Sequence, residues 1–208
     1  MARTKTSKAW MHEHVTDIYV RRAKQEGYRS RSAFKLLEIL EKDKLVRSSM
    51  IVVDLGAAPG GWSQVLASLI GEKGRVIALD MLEMEPIRNV TFLRGDFSED
   101  NAVAALQKEL GGRKADLVVS DMAPNISGVG MVDQARSMHL AELALDFTGN
   151  FLKPGGVLLV KAFQGAGLDE FRKQLGEVFD SVAVRKPKAS RDRSSELFLL
   201  AKGRLARS

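Results

Sequence analysis

Several side chains capable of chemistry stand at the ends of short apolar runs in this chain. Lys161 directly follows Val157-Leu-Leu-Val160, and aspartates fall at or just past four other runs, namely Asp54, Asp80, Asp96 and Asp121. A lysine at the end of a buried strand is costly unless carboxylates pair with it. We therefore expect Lys161 to lie beside Asp121. Four aspartates on one rim favour a ligand that offers several hydrogen-bond donors.

A glycine-rich segment, Asp54-Leu-Gly-Ala-Ala-Pro-Gly-Gly-Trp62, follows the first apolar run and opens a helical pattern. Its glycines let the backbone approach a ligand, and the helix N-terminus offers free N–H groups to an anion. A dinucleotide-binding loop would read G-x-G-x-x-G, so the G-x-x-P-G-G pattern disfavours a nicotinamide oxidoreductase. Asp80 is placed to accept hydrogen bonds from ribose hydroxyls, and Asp96 suits an adenine amino group.

The apolar runs alternate with helical patterns, which indicates how these residues are positioned. Near-continuous apolar strands suit a parallel sheet buried on both faces, and the alternation predicts a doubly wound α/β fold. Ligands bind such a sheet at the carboxyl ends of its strands. The predicted strands are 50–54, 75–80, 90–94, 115–120, 157–160, 181–184 and 196–201, and the predicted helices are 32–41, 61–71, 98–111, 133–152 and 168–179.

The net charge of +6 is concentrated at the two ends of the chain. Residues 1–35 and 185–208 carry +6 each, whereas residues 36–184 carry −6. Basic ends around an acidic body indicate a polyanionic partner, most simply nucleic acid, or else a pair of solvated tails. The first block favours nucleic acid, because aromatic residues interleave with arginines there: Tyr19, Tyr28 and Phe34 with Arg21, Arg22, Arg29 and Arg31.

Composition narrows the class of protein further. A chain of 208 residues suits one compact domain, and no apolar run approaches the ~20 residues needed to cross a bilayer. The basic N-terminus lacks the apolar core of a secretory signal, so we expect a cytoplasmic protein without a membrane partner. The chain has no cysteine. We expect no metal site, and His12 and His14 are interpreted as part of a solvated polar segment.

The D-x-G-x-x-P-G-G-W loop, together with Asp80 and Asp96, resembles the S-adenosylmethionine site of the FtsJ/RrmJ ribose methyltransferases. The likeness runs from about residue 8 to the end of the last strand. It implies a Rossmann-like methyltransferase fold, α/β, with a mostly parallel seven-stranded sheet, an antiparallel last strand and helices on both faces. It also implies that S-adenosylmethionine contacts five residues, Gly60, Trp62, Asp80, Asp96 and Asp121. The implied domains are a basic RNA-facing segment at 1–30, a methyltransferase domain at 31–202 and a basic tail at 203–208.

The same resemblance implies a catalytic tetrad of Lys35, Asp121, Lys161 and Glu196. Glu196 opens the last predicted strand, and an antiparallel strand would bring its start beside the carboxyl ends of the others. Lys35 is different, because a helical wheel points it away from the Leu36, Leu37 and Leu40 stripe. From the residues alone Lys35 is therefore predicted to be solvated. Lys161 is the expected proton acceptor, with the other three orienting it and tuning its charge.

The residue types also narrow the reaction of such an enzyme. Methylation at C5 of a pyrimidine usually needs a cysteine nucleophile, and exocyclic amines are typically methylated beside an Asp/Asn-Pro-Pro-aromatic turn. This chain has no cysteine and reads Asp121-Met-Ala-Pro124. The resemblance implies 2′-O-methylation of RNA by a monomeric enzyme, with a uridine in the A-loop of 23S ribosomal RNA, within the large ribosomal subunit, as the expected target. A tRNA or mRNA-cap target, or a non-catalytic RNA-binding module of the same fold, stays open.

Overall fold

The computed structural model describes residues 17–124, 127–191 and 194–206, so the His12 and His14 segment lies outside the described residues. Six helices and seven strands follow one another along these residues. The helices are α1 (Ile18–Glu26), α2 (Ser32–Asp43), α3 (Gly61–Ile70), α4 (Asp100–Leu110), α5 (Gly130–Phe151) and α6 (Leu168–Val178). The strands are β1 (Ile51–Leu55), β2 (Arg75–Asp80), β3 (Val90–Arg94), β4 (Ala115–Ser120), β5 (Leu152–Phe163), β6 (Phe179–Arg185) and β7 (Glu196–Arg204).

The seven strands form one sheet in the order β3-β2-β1-β4-β5-β7-β6. Strands β1 to β5 pair in parallel, whereas β7 runs antiparallel to both β5 and β6. The predicted mostly parallel sheet with an antiparallel last strand is confirmed. The strand order reverses between β1 and β4, and a crevice for ligands is expected at this point outside the carboxyl ends of the strands.

The sheet is covered by an apolar layer on each face. On one face the buried side chains of α4, α5 and α6 pack together, among them Leu106, Phe147 and Phe171. On the other face α2 and α3 contribute residues such as Leu36 and Leu66. Because both faces are covered, the parallel strands are nearly continuously apolar. None of the helices in the described part of the chain is long and apolar enough to span a membrane.

Helix α1 is the main element that the sequence patterns did not predict. It begins after Asp17, whose side chain accepts a hydrogen bond from the Tyr19 N–H at 2.9 Å, and it ends at Gly27 with φ of 76°. Only Val20 and Ala23 are buried on this nine-residue helix, so its apolar stripe is too short to be noticed among charged neighbours. Strand β7 extends to Arg204, past the proposed boundary at residue 202.

A cluster of ion pairs joins the C-terminal end of α2 to the antiparallel strands β6 and β7. Arg185 of β6 donates two hydrogen bonds of 2.7 Å to Asp43, and Lys202 of β7 donates a third at 3.1 Å. The hydrogen bonds from the Arg185 guanidinium hold the pKa of Asp43 below its ordinary value, despite burial. The orientation of α2 relative to β7 is thereby set, which matters because both elements contribute to the site.

Candidate active site

Lys161 and Asp121 meet at the carboxyl edge of the sheet. Lys161 lies on β5, and Asp121 follows β4, its main-chain N–H bonded to Leu55 O at 3.1 Å. The Lys161 Nζ donates to the main-chain oxygen of Asp121 at 2.6 Å and lies 3.0 Å from its carboxylate Oδ1. Only 7% of the Lys161 side chain is exposed. The buried ammonium is therefore oriented by a carbonyl and a carboxylate of one residue, as such a lysine requires.

Lys35 and Glu196 form the second pair of the site. Lys35 Nζ lies 2.6 Å from Oε1 and 2.8 Å from Oε2 of Glu196, and the Ser190 hydroxyl donates to Oε1 at 2.9 Å. The Lys35 side chain is 13% exposed, so the prediction that it is solvated was wrong. The helical wheel recorded only the face of α2 that packs on α3, whereas the start of β7 covers another face.

Strand register places the two pairs on one face of the sheet. Lys161 is paired with Phe198, and Phe163 is paired with Glu196, across the antiparallel β5–β7 ladder. Directly opposite residues project to the same side, and diagonal neighbours stay within reach of long side chains. Lys161 and Glu196 are such diagonal neighbours. The structure thus brings Lys35, Asp121, Lys161 and Glu196 into one cluster.

The electrostatics of this cluster favour an ionised Glu196. Burial alone would raise its pKa, but the charge and hydrogen bond of Lys35 lower it, as do the Ser190 hydroxyl and the charge of Lys161. The net result is a pKa of Glu196 below its ordinary value. Two lysines and two carboxylates therefore balance in a space from which water is largely excluded.

Two glycines of the loop between β1 and α3 are required by close contacts. Gly56 has a φ of 75°, and a Cβ there would lie 2.8 Å from Cγ of Met122. Gly60, with a φ of 106°, would place its Cβ 2.8 Å from both Ile87 and Met84. Gly60 also caps α3, so the first N–H groups of this helix point out of its N-terminus. These N–H groups can bind a carboxylate or phosphate.

The Trp62 side chain is used for packing beneath this loop. Trp62 is 2% exposed, and its ring centroid lies 5.6 Å from that of Phe198. Its indole N–H donates to Ser32 O at 2.9 Å. The ring therefore joins α3 to the start of α2 and to β7. Contact between Trp62 and a cofactor stays a prediction, and the geometry leaves its main-chain N–H for that role.

Asp80 and Asp96 lie at neighbouring strand ends. Asp80 accepts hydrogen bonds from the N–H of Ala58 at 2.9 Å and of Leu82 at 2.8 Å, one on each carboxylate oxygen. The hydroxyl and main-chain N–H of Ser98 hold the pKa of Asp96 below its ordinary value. Each carboxylate oxygen has two lone-pair directions, so both residues can accept further hydrogen bonds. A cavity of about 490 Å³ opens beside Asp96.

Asp54 lies fully buried beneath the glycine loop. Its Oδ2 accepts a 2.6 Å hydrogen bond from Ser63, while its Oδ1 has no hydrogen-bond partner among the described residues. Burial, opposed by the Ser63 hydrogen bond and reinforced by the charges of Asp121 and Asp80, raises the pKa of Asp54 to about 7. Asp54 therefore lies beneath the rim that the sequence predicts, whereas Asp80, Asp96 and Asp121 are partly exposed and fit a cationic ligand with several hydrogen-bond donors. S-adenosylmethionine fits such a site, because it offers ammonium, hydroxyl and amino donors and carries a positive charge on its sulfonium.

The aromatic residues of the basic segment are used for packing. Tyr19 and Tyr28 lie 5.7 Å and 5.5 Å from Phe34, measured between ring centroids, and Phe34 is 5% exposed. The Arg22 guanidinium stacks 4.4 Å above Phe34, and the Arg31 guanidinium bonds the Asp17 carboxylate and the Ala189 carbonyl. This interleaving builds a small core around α1.

Two contributors to the site were missed by the sequence patterns. Ser190 orients Glu196 from the loop before β7, and Ser63 holds Asp54 from the first turn of α3. Serines at these positions carry no distinctive spacing. Only the structure shows that each of these serines donates to a buried carboxylate.

A doubly wound sheet with an antiparallel β7, and an acid-rimmed glycine loop at its switch point, defines a Rossmann-like methyltransferase. The profile of the family described as FtsJ-like methyltransferase matches residues 28–204. The chain belongs to this family.

Curated relatives match nearly the whole chain. Ribosomal RNA large subunit methyltransferase E of Azoarcus sp. is 62% identical over 200 residues, which are 96% of this chain and 98% of that protein. The protein of the same name from Pseudomonas aeruginosa is 57% identical over 203 residues, 98% of each chain. Among solved structures, a ribosomal RNA methyltransferase of Plasmodium falciparum has a TM-score of 0.79 at 30% identity. The match covers 86% of this chain and 100% of the Plasmodium falciparum chain.

Proposed function

We propose that this methyltransferase transfers a methyl group from S-adenosylmethionine to the 2′-hydroxyl of a ribose in ribosomal RNA of the large subunit. The observation that carries the proposal is the buried Lys161, held 2.6 Å from the Asp121 carbonyl and on the same face as the Lys35–Glu196 pair. A ribose hydroxyl needs both orientation and a proton acceptor, and this cluster offers both.

Each residue of the tetrad then has a distinct task. S-adenosylmethionine, when bound, supplies a methyl group on a sulfonium and leaves as a thioether. Lys161, once it has released its own proton to solvent, would accept the 2′-hydroxyl proton at Nζ as that oxygen becomes methylated. Asp121 directs Nζ through its carbonyl and carboxylate and stabilises the ammonium that forms. Glu196 adds negative charge, and Lys35 keeps Glu196 ionised and in place.

The cofactor would be held by the predicted residues around the glycine loop. Asp80 would accept hydrogen bonds from the ribose hydroxyls, and Asp96, beside its cavity, would accept one from the adenine amino group. The main chain at Gly60 and Trp62 receives the carboxylate at the N-terminus of α3. Asp121, which also contacts Lys161, would lie beside the bound cofactor. The spare lone pairs of these aspartates support this assignment.

The relatives' names support ribosomal RNA as the substrate, and we propose the A-loop uridine of 23S RNA as the modified nucleotide. A basic segment spanning residues 1–30 would face the RNA. Arg21 and Lys24 are exposed on α1, which supports this role. We further propose that the enzyme is cytoplasmic, since its ribosomal substrate is made and assembled in the bacterial cytoplasm, and that it acts as a monomer.

The test is a methyl-transfer assay with radiolabelled S-adenosylmethionine. The substrates are large ribosomal subunits, free 23S RNA and tRNA from cells that lack this enzyme, together with an mRNA transcribed and capped in vitro. We expect label in 23S RNA at a linkage that resists alkali, because the methyl group removes the nucleophile that attacks the neighbouring phosphate. Label on a base would refute the 2′-hydroxyl, and label in tRNA or a cap alone would refute the ribosomal target.

A further inference from the structure

The segment that joins α1 to α2 lies directly against the cofactor loop. Arg29, in this segment, donates from Nη1 to the carbonyls of Pro59 at 3.3 Å and Glu85 at 2.6 Å. From Nη2 it donates to the Pro86 carbonyl at 2.9 Å. Pro59 belongs to the loop after β1, whereas Glu85 and Pro86 belong to the loop after β2. One guanidinium therefore joins the two loops that flank the proposed ribose site.

The main chain of the same segment reinforces this connection. The Arg29 N–H donates to Gln64 Oε1 at 2.8 Å, and Gln64 Nε2 donates back to Gly27 O at 3.2 Å. A Cβ on Gly60 would lie 3.1 Å from Nη1 of Arg29. The guanidinium thus sits against the glycine whose conformation opens the N-terminus of α3.

The chemistry of the contact requires arginine in particular. A guanidinium is planar and offers five donors in fixed directions, so it can bond carbonyls of two separate loops at once. A lysine ammonium reaches such carbonyls one at a time. The three acceptors are neutral main-chain groups, and donors turned toward them are not directed at a phosphate.

We propose that Arg29 is a positioning residue for cofactor binding, and that it does not grip RNA. It fixes the loop after β2 relative to Gly60, and so fixes Asp80, whose Oδ2 accepts from Ala58 N in the glycine loop at 2.9 Å. The proposal rests on the proposed function, since it takes S-adenosylmethionine as the ligand. It assigns a cofactor role to a residue of the basic block that the charge pattern assigned to RNA.

The experiment compares Arg29→Ala, Arg29→Lys and Arg47→Ala by calorimetry with S-adenosylhomocysteine as the probe. Arg47 is exposed on the loop after α2 and serves as the charge-matched control. We expect Arg29→Ala to bind the probe about tenfold more weakly, which is the effect expected when one hydrogen bond from a charged group is lost. Arg29→Lys should be intermediate and Arg47→Ala unchanged. In methyl transfer, the KM for the cofactor should rise with little change in kcat or in the KM for RNA.

Hydrogen exchange of the ligand-free protein supplies a readout that does not need the cofactor. The main-chain amides of residues 60–63 should exchange faster in Arg29→Ala than in wild type, with melting temperatures similar enough to show that the fold is kept. If Arg29→Ala fails to fold, the comparison is made with Arg29→Lys. Unchanged exchange and unchanged probe affinity, with weaker RNA binding, would overturn the proposal. A wild-type protein that did not bind the probe would instead refute the proposed function.

Discussion

Glu196 holds Lys35 across 161 positions of the chain, with both carboxylate oxygens within 2.8 Å of the lysine Nζ. Two further contacts fix the position of this pair. Asp43 fastens the C-terminal end of α2 to β6 and β7, and the Ser190 hydroxyl directs Glu196 at the start of β7. A second lysine, Lys161, lies diagonal to Glu196 across the ladder. The site therefore depends on packing between the first described helices and the last strand.

Lys161→Ala should separate chemistry from binding. Loss of a general base is expected to slow methyl transfer roughly 10²–10⁴-fold, while S-adenosylhomocysteine affinity stays near that of wild type. Single-turnover kinetics and calorimetry check the two parts. Lys153→Ala is the matched control, because Lys153 lies on the same strand but is 43% exposed and paired with Asp116. Near-normal transfer by Lys161→Ala would remove Lys161 from the mechanism.

Glu196→Gln should change how stability responds to acid. Because the folded protein holds the pKa of Glu196 below its ordinary value of 4.5, the ionised form stabilises the fold at neutral pH. This contribution is present above the ordinary value and is lost as pH falls through the lower folded value. Melting temperatures measured from pH 7 to pH 3 should therefore fall less steeply for Glu196→Gln than for wild type. Parallel curves would show that Lys35 does not stabilise the charge.

Asp54→Asn should act in the opposite direction. The pKa of Asp54 is raised to about 7 from an ordinary 3.8, so the folded state keeps a proton that the unfolded chain releases. Wild-type stability should therefore decline as pH rises from about 4 through 7, and the deficit should be complete above that range. The asparagine can still accept from Ser63 and carries no charge. Melting curves at pH 5 and pH 9 should show the variant gaining stability relative to wild type, and an equal difference at both pH values would contradict this.

Arg21→Ala with Lys24→Ala should weaken RNA binding without affecting the cofactor. Both side chains are exposed on α1, so their loss spares the packing of that helix. Each phosphate contact removed should make the salt dependence of affinity shallower by a slope of about 0.7, the value for single strands. The control removes the same charge from the opposite layer through Lys108→Ala and Lys173→Ala. Equal salt slopes in the two double variants would show that α1 does not face the RNA.

The sheet and its acidic rim could be predicted from the sequence. The predicted bounds of β2, β3 and β4 match the structure. The strands β2 and β4 are mostly buried, so they are nearly continuously apolar and end at polar residues, whereas β3 is a half-buried edge strand. Asp80 and Asp121 could be predicted from those strand ends. Lys161 could be predicted as a site residue because a lysine at the end of a buried strand is energetically costly unless it has a partner. Local residue types and short-range periodicity carry these features.

Only the tertiary structure decided what the remaining residues contact. Lys35 was predicted to be solvated because a helical wheel does not show a strand that packs on a second face of the helix. The acceptors of Arg29 are main-chain carbonyls, which every residue carries, so no pattern of side chains could reveal them. Glu196 lies diagonal to Lys161 only because β7 runs antiparallel beside β5. Sequence determines which segments are buried and where they end, whereas contacts between distant segments depend on how those segments pack.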